Sequence, residues 1–345
     1  MREYYRYMTN STINDLGGTD ITGFQNEDGK ISAGDSNAAL LSFFARVNYD
    51  YDNKYLLSLS IRRDESSKFH KDNRVGYFPS VSAGWNVHQE KWFQNPVMSK
   101  LKFRASYGEL GANFLNPYNF DAIAYGPIPY TVGGERYVTG RAAYLKSKDL
   151  KWETAKTTDI GIELGFFNND LTLSLDYFVK KNVDLLAQID LNLSSGQIFE
   201  INSSREKPYV NTASVKNTGW EFMMNYRKQL TKDFHIDATF NIATLKNKVL
   251  SLGENVQPIT SGAMSSYFND APSIAMPGEA IGSFYGYKID GFDAEGNFIF
   301  ADTDKNGVVN ANDKVILGNP IPDFTYGLNI NMEYKDFDLT VFFQV

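Results

Sequence analysis

Residues 156–180 carry the clearest pattern in the chain. Thr158, Ile160, Ile162, Leu164 and Phe166 alternate with Thr157, Asp159, Gly161, Glu163 and Gly165. A turn at Asn168-Asn169-Asp170 follows. Leu171, Leu173, Leu175, Tyr177 and Val179 then alternate with Thr172, Ser174, Asp176, Phe178 and Lys180. Period-two alternation predicts strands with one apolar and one polar face. Soluble strands average about 5–6 residues, whereas a tilted strand crossing a bilayer needs about 9–11. The runs here have the longer length.

The pattern recurs. Phe43–Asp50 and Tyr55–Arg62 flank a turn at Tyr51-Asp52-Asn53-Lys54, and further runs fall at Val81–Val87, Leu101–Gly108, Trp220–Arg227, Phe234–Ile242, Phe324–Tyr334 and Phe337–Phe343. Together these predict about ten strands. Short connections near 51–54, 168–170, 228–233 and 335–336, with a medium one at 89–99, alternate with long ones near 64–77, 110–155, 181–212 and 248–322. Bacterial outer-membrane barrels pair short periplasmic turns with long external loops. The phase holds if 248–322 is one extracellular excursion, with Ser283–Ile289 and Asn297–Phe300 forming a hairpin inside it. Lys102, Arg104, Asp159, Glu163, Asp176 and Asp237 fall on polar faces and are the candidates for lining a wet lumen. A basic residue facing lipid at mid-membrane costs roughly 2–4 kcal/mol, so charge belongs on the lumen side. A soluble sandwich or solenoid with one solvated face would share the alternation, but not the strand length.

Composition narrows the classes. The net charge of −7 and the lack of any basic run argue against a nucleic-acid partner. The absence of cysteine excludes disulfide scaffolds and thiol chemistry. The 21 Tyr and 25 Phe suit membrane–water boundaries. No stretch is apolar and long enough for a spanning helix, which leaves a barrel untouched. Met1-Arg-Glu-Tyr-Tyr-Arg has no secretory-leader pattern, and the last strand stops at Phe342-Phe343-Gln344-Val345. The chain therefore reads as a fragment. Residues 1–39 read as an extracellular loop or an incomplete preceding strand, and 40–345 as a partial barrel.

One motif carries metal chemistry. Asp302, Asp304 and Asn306, then Gly307, Val308 and Asp313, fit a D-x-D-x-N-G calcium loop. The three side chains and the Val308 carbonyl would offer oxygens, and Gly307 would take the sharp turn. Asp313 stands where such loops usually have a bidentate Glu, and no long helices flank it, so a structural calcium fits better than a regulatory one. An Asx-rich turn closed by its own hydrogen bonds is the alternative. His70, His88 and His235 are scattered, and no phosphate loop or nucleophile elbow occurs, so no catalytic residue is assigned. Tyr118, Tyr125 and Tyr130 in the 110–155 connection could stack on sugar rings, or pack the loop on itself.

Several strings together resemble the SusC/RagA family of TonB-linked outer-membrane transporters. They are Tyr55-Leu-Leu-Ser-Leu-Ser-Ile-Arg-Arg-Asp-Glu-Ser-Ser-Lys-Phe69, Gly76-Tyr-Phe-Pro-Ser-Val-Ser-Ala-Gly-Trp85, Leu101–Gly108, Trp152–Gly161, Asn217–Glu221 and Asp302–Gly327, in order and spacing. The resemblance implies an all-β transmembrane barrel of about 22 strands, multi-pass in the bacterial outer membrane. It also implies a plug domain, which is not seen in this chain, coupling to TonB, and a SusD-like lipoprotein lid. The implied cargo is an oligosaccharide or peptide. A passive porin and a soluble calcium-binding surface adhesin are the other classes the sequence leaves open.

Overall fold

The computed structural model describes residues 2–8, 33–116, 124–142, 147–188, 209–253, 256–261 and 271–345. The described residues are mostly strands. In order they are β1 (Arg2–Met8), β2 (Ala33–Tyr51), β3 (Tyr55–Ser66), β4 (Val75–Asn86), β5 (Met98–Ala112), β6 (Ala124–Val132), β7 (Glu135–Ala142), β8 (Glu153–Phe166), β9 (Leu171–Gln188), β10 (Tyr209–Thr231), β11 (Phe234–Thr244) and β12 (Lys246–Ser251). The short strands β13 (Ile259–Ser261), β14 (Ser273–Ala275), β15 (Ser283–Tyr287), β16 (Ile289–Phe292), β17 (Phe298–Phe300) and β18 (Lys314–Gly318) precede β19 (Phe324–Tyr334) and β20 (Phe337–Gln344).

One antiparallel sheet forms a wall in the order β1-β2-β3-β4-β5-β8-β9-β10-β11-β19-β20, with β12 continuing along β10 beyond the end of β11. All ten expected strands are in it. So is β1, which pairs with the first residues of β2 inside the segment expected to be a loop or an incomplete strand. The wall is not closed on itself. It is a partial barrel in which each described strand leans on its neighbours' backbone.

Register explains the two faces. Tyr49, Leu57, Ala83, Ala105, Ile160, Tyr177 and Trp220 stand opposite one another across seven consecutive strands. The next row, on the other face, is Asn48, Ser58, Ser82, Ser106, Asp159, Phe178 and Gly219. The apolar row is left bare: Tyr49 is 57% exposed, Ile160 58% and Trp220 52%. A soluble sheet would bury such a face. A bilayer covers it instead. Ser58 donates to Asn48, and the Ser60 and Ser80 hydroxyls pair, so the polar face is knitted together.

Aromatics mark the rim at the short turns. Tyr51, Tyr55, Trp85 and Phe103 form a chain of rings with centroids 6.3, 6.4 and 6.3 Å apart. The Tyr55 hydroxyl and Trp85 Nε1 both donate to Glu90, at 2.7 and 3.1 Å. Those two hydrogen bonds hold the Glu90 carboxyl below its usual range. Rings face lipid and polar tips face the turn, as a membrane boundary requires.

Buried hydrophobic clusters lie at the opposite end, on the polar-face side. Phe69, Phe78, Leu115, Leu150 and Trp152 form one, and Ala187, Ala213, Val215, Val249 and Leu252 form the other. Phe78 stands opposite Arg62, and Val215 opposite Asn182, which places both on the polar face. Trp152 Nε1 donates to the Arg74 carbonyl, Arg74 Nε to Phe69, and Asn73 Nδ2 to Lys148. The first two long connections are thereby pinned to each other and folded inward over the wall.

Beyond β12 the fourth long connection stays off the wall, since β11 pairs directly with β19. Its strands form a separate sheet, β13-β14-β15-β18, and a hairpin, β16-β17. The hairpin expected between 283–289 and 297–300 is corrected here. β15 pairs with β14 and β18, and only Ile289–Phe292 pairs with β17. The cause is a tight turn: the Asp293 carboxylate accepts from Glu295 and Asn297 N–H groups, and Gly296 has φ +85°. It commits the four residues before it and leaves β15 free.

The faces make a paired prediction. Leu173→Lys puts a charge into lipid and should cost roughly 2–4 kcal/mol near mid-membrane, while Ser174→Lys adds the same charge to the polar face. The heat-modifiable, membrane-assembled form should fall sharply for the first and stay near wild type for the second. Equal yields would overturn the assignment of faces.

Candidate functional site

The polar face carries a charge network on β5, β8 and β9. Arg104 Nη2 donates to Asp176, although the two residues lie on strands separated by β8. Gly161 is the residue between them in register. A Cβ there would lie 1.8 Å from Asp176 Oδ1 and 2.9 Å from Arg104 Nε. The glycine is a saddle over which the ion pair crosses. Asp176 is 5% exposed, so its charge is held by the pair and not by water.

Glu163 collects the surrounding cations. Lys100 Nζ lies 2.7 Å, Lys102 Nζ 3.5 Å and Arg104 Nε 3.6 Å from its carboxylate. Asp159, Lys102 and Arg104 also line a depression of about 530 Å³ with Asn48, Ser58 and Ser106. The structure thus brings together Lys102, Arg104, Asp159, Glu163 and Asp176. It places Asp237 elsewhere: on β11, bound by Arg227 at 2.7 Å and by Asn225 at 2.9 Å. All six lumen-lining candidates lie on the polar face. Sequence reasoning missed Gly161, whose role needs the register of three strands.

The Asp302–Asp313 loop follows β17. Oxygens of Asp302, Asp304 and Asp313 lie within 4.8 Å of one another. Asp302 accepts from the Asn306 and Gly307 N–H groups at 3.1 and 2.7 Å, and Gly307 has φ +86°, which favours glycine. Asp304 accepts from Asn306 N and Nδ2, and Asn306 Oδ1 accepts from Val308 N. Asp313 is fully buried and accepts from Thr303, Asp304 and Asn310 N–H groups. The Asn310 N–H, ahead of the opposing burial, holds its carboxyl below the usual carboxylate range. Asn310 Nδ2 occupies the Val308 carbonyl at 3.0 Å. Asp302, Asp304 and Asn306 therefore keep side-chain oxygens in the loop, while Asp313 closes it.

The stacking candidates are only partly visible. Tyr118 lies outside the described residues. Tyr125 and Tyr130 belong to the β6-β7 hairpin, which is separate from the wall, and their side chains lie outside the described residues.

A long-stranded antiparallel wall, bare and apolar outside and charged inside, defines an outer-membrane β-barrel protein. The family model described as "TonB dependent receptor-like, beta-barrel" matches residues 2–345, and the chain belongs to that family. It is 36% identical over 323 residues to the TonB-dependent receptor P3 of Formosa agariphila, covering 88% of this chain and 31% of that protein. It is 33% identical over 324 residues to the TonB-dependent receptor SusC of Bacteroides thetaiotaomicron, covering 87% and 30%. The chain thus spans about a third of the length of these curated relatives. Among solved structures, the RagAB peptide importer in its open-open state superposes with a TM-score of 0.75 at 24% identity, covering 91% of this chain and 33% of that one. The protein is a SusC-like β-barrel protein of the bacterial outer membrane.

The saddle gives a test. Gly161→Ala should displace the Arg104–Asp176 pair and lower the temperature at which the folded barrel loses its heat-modifiable mobility. Gly84→Ala, whose added methyl makes ordinary contacts with the Leu56 and Lys102 side chains at 3.5 and 3.6 Å, should do much less. Unchanged melting for Gly161→Ala would remove the pair from the structural account.

Proposed function

We propose that this wall belongs to a TonB-dependent importer of oligosaccharides or peptides that works with a SusD-like surface lipoprotein. The observation that carries this reading is the charged, hydrogen-bonded inner face. Its carboxylates Glu163, Asp176 and Asp237 are paired with Lys100, Arg104 and Arg227. Such a wall offers donors and acceptors to a polar solute without a dominant charge. The likeness to SusC and to the RagAB peptide importer supports it. Import would be binding and gated passage, with no bond chemistry. The end bearing the long connections would face outward, and the pinned loops around Phe69, Phe78 and Trp152 would give the lipoprotein lid a fixed rim.

In this reading the Asp302–Asp313 loop holds a structural calcium. Asp302, Asp304 and Asn306 supply hard oxygen ligands of the type the ion takes. Asp313 serves the backbone, so the ion would not need it as a bidentate ligand. The carboxylate cluster supports the proposal because its close like charges are relieved by a cation.

Uptake of labelled oligosaccharide and of labelled peptide by cells expressing the complete receptor should stop when TonB is deleted. Undiminished uptake would favour a passive porin. Orientation can be read separately, because the chain has no cysteine. A membrane-impermeant maleimide should label Asn312→Cys on intact cells, and Lys232→Cys only after the outer membrane is opened; the reverse order would invert the wall. For the loop, calcium should raise the receptor's melting temperature over that in chelator, and Asp304→Asn should abolish the rise. A rise equal in both proteins, or none in either, would remove the ion.

A further inference from the structure

The apolar outer face ends in a row of like charges. Lys156 on β8 stands opposite Lys181 on β9, Lys181 opposite Lys216 on β10, and Lys216 opposite Lys248 on β12. They share a face with Ile160, Tyr177 and Trp220, since each lies an even number of residues away along its strand. Β12 joins that face through the pairing of Lys248 with Lys216 and of Lys246 with Thr218. The sequence of rows outward from the bilayer is therefore aromatic and apolar, then Thr158, Val179, Thr218 and Lys246, then lysine throughout. The row lies toward the long connections, opposite the Glu90 rim.

Like charges directly opposite one another on neighbouring strands are destabilising. On the polar face Glu163, Asp176 and Asp237 are each paired with a cation. Here one carboxylate reaches the row: Glu109, opposite Lys156 on β5 and 3.3 Å from its Nζ. Among the described residues, Lys181, Lys216 and Lys248 have no ion pair, and Lys181 and Lys248 are exposed. Below them Tyr177 and Trp220, with rings 4.8 Å apart, line a groove of about 600 Å³ together with Lys246 and Lys248. Glu279 and Asp323 also line that groove.

We propose that the row Lys156, Lys181, Lys216 and Lys248 binds the phosphate groups of an outer-leaflet saccharolipid whose acyl chains lie along the apolar face beneath. Three features select this occupant. The lysines sit at the edge of the apolar band and not within it. Among the described residues the charges of Lys181, Lys216 and Lys248 are unpaired, so an anion relieves them. An aromatic pair lies directly below, at the level where sugar meets acyl chain. The lipid would then be a fixed part of the barrel's outer surface, bridging strands β8 to β12. The proposal rests on the outward orientation of the long connections and not on the cargo.

The test uses the complete receptor, purified and placed in nanodiscs with lipopolysaccharide as the probe. Lipid retained through washing is counted by mass spectrometry. The triple variant Lys181→Gln, Lys216→Gln, Lys248→Gln should retain roughly tenfold less than wild type. The corresponding Arg triple should keep it, as should Lys91→Gln, Lys232→Gln, Lys335→Gln at the other rim. Enzymatically dephosphorylated lipopolysaccharide should bind wild type as weakly as the phosphorylated form binds the Gln triple. Equal retention by the Gln triple and wild type overturns the proposal. If the Gln triple does not assemble, the wild-type comparison decides alone, and equal retention of both lipids overturns it. Displacement by millimolar inorganic phosphate alone would also overturn it, by showing a free-anion site. Because the nanodisc readout does not depend on sidedness, a wrong orientation appears only in the maleimide labelling.

Discussion

Everything in this chain depends on one constraint. Inside a hydrocarbon layer no water can satisfy a backbone N–H or C=O, so the ladder between strands must do it all. Long antiparallel strands with long stretches of continuous register are the answer. The pairing of β5 with β8 is continuous from Lys100 to Ala112, and that of β9 with β10 from Leu171 to Asn182. Side chains then only supplement the ladder, and their main job is to suit each face to its solvent. That is why the buried hydrophobic clusters lie at the long-connection end, where loops fold over the wall, and not between the strands of the membrane band.

The inner face obeys the opposite rule from the outer one. It admits charge freely and pairs Glu163, Asp176 and Asp237 with cations, and the pairing reaches beyond nearest neighbours. Arg104 and Asp176 are separated by a strand, and the contact exists because residue 161 has no side chain to block it. A glycine in a strand usually weakens it. Here it lets one cation serve Asp176 and approach Glu163, so neither carboxylate is stranded against a low-dielectric wall.

Much of this was legible from alternation and loop length alone. The expected strands, the polar-face placement of Lys102, Arg104, Asp159, Glu163, Asp176 and Asp237, and the direct junction of Phe234–Ile242 with Phe324–Tyr334 are all properties of one strand or one pair. What escaped belongs to three strands or more. Gly161 reads as an ordinary small polar-face residue until Arg104 and Asp176 are set beside it. Phe69 and Trp152 lie in separate connections, and nothing local brings their rings to 5.3 Å. Strand β1 escaped because its partner, Ala33–Ala39, has too little apolar alternation to announce a strand. The Asp302–Asp313 motif was legible as a sequence of ligands, but Asp313's buried service to Thr303, Asp304 and Asn310 required the fold.

Taken together, the two faces make the lysine row the exception that needs a cause. On the polar side, Glu163, Asp176 and Asp237 each have a cation within reach, although water is near. On the apolar side, where water is scarcer, ammonium groups are set side by side across four strands, and among the described residues Glu109 is the one acid paired with them. A wall that neutralises charge where neutralising matters less would not leave it unbalanced where it matters more. The imbalance makes sense only if the missing charge comes from outside the chain. At that height on the outer surface, the neighbour that is always present is the leaflet itself.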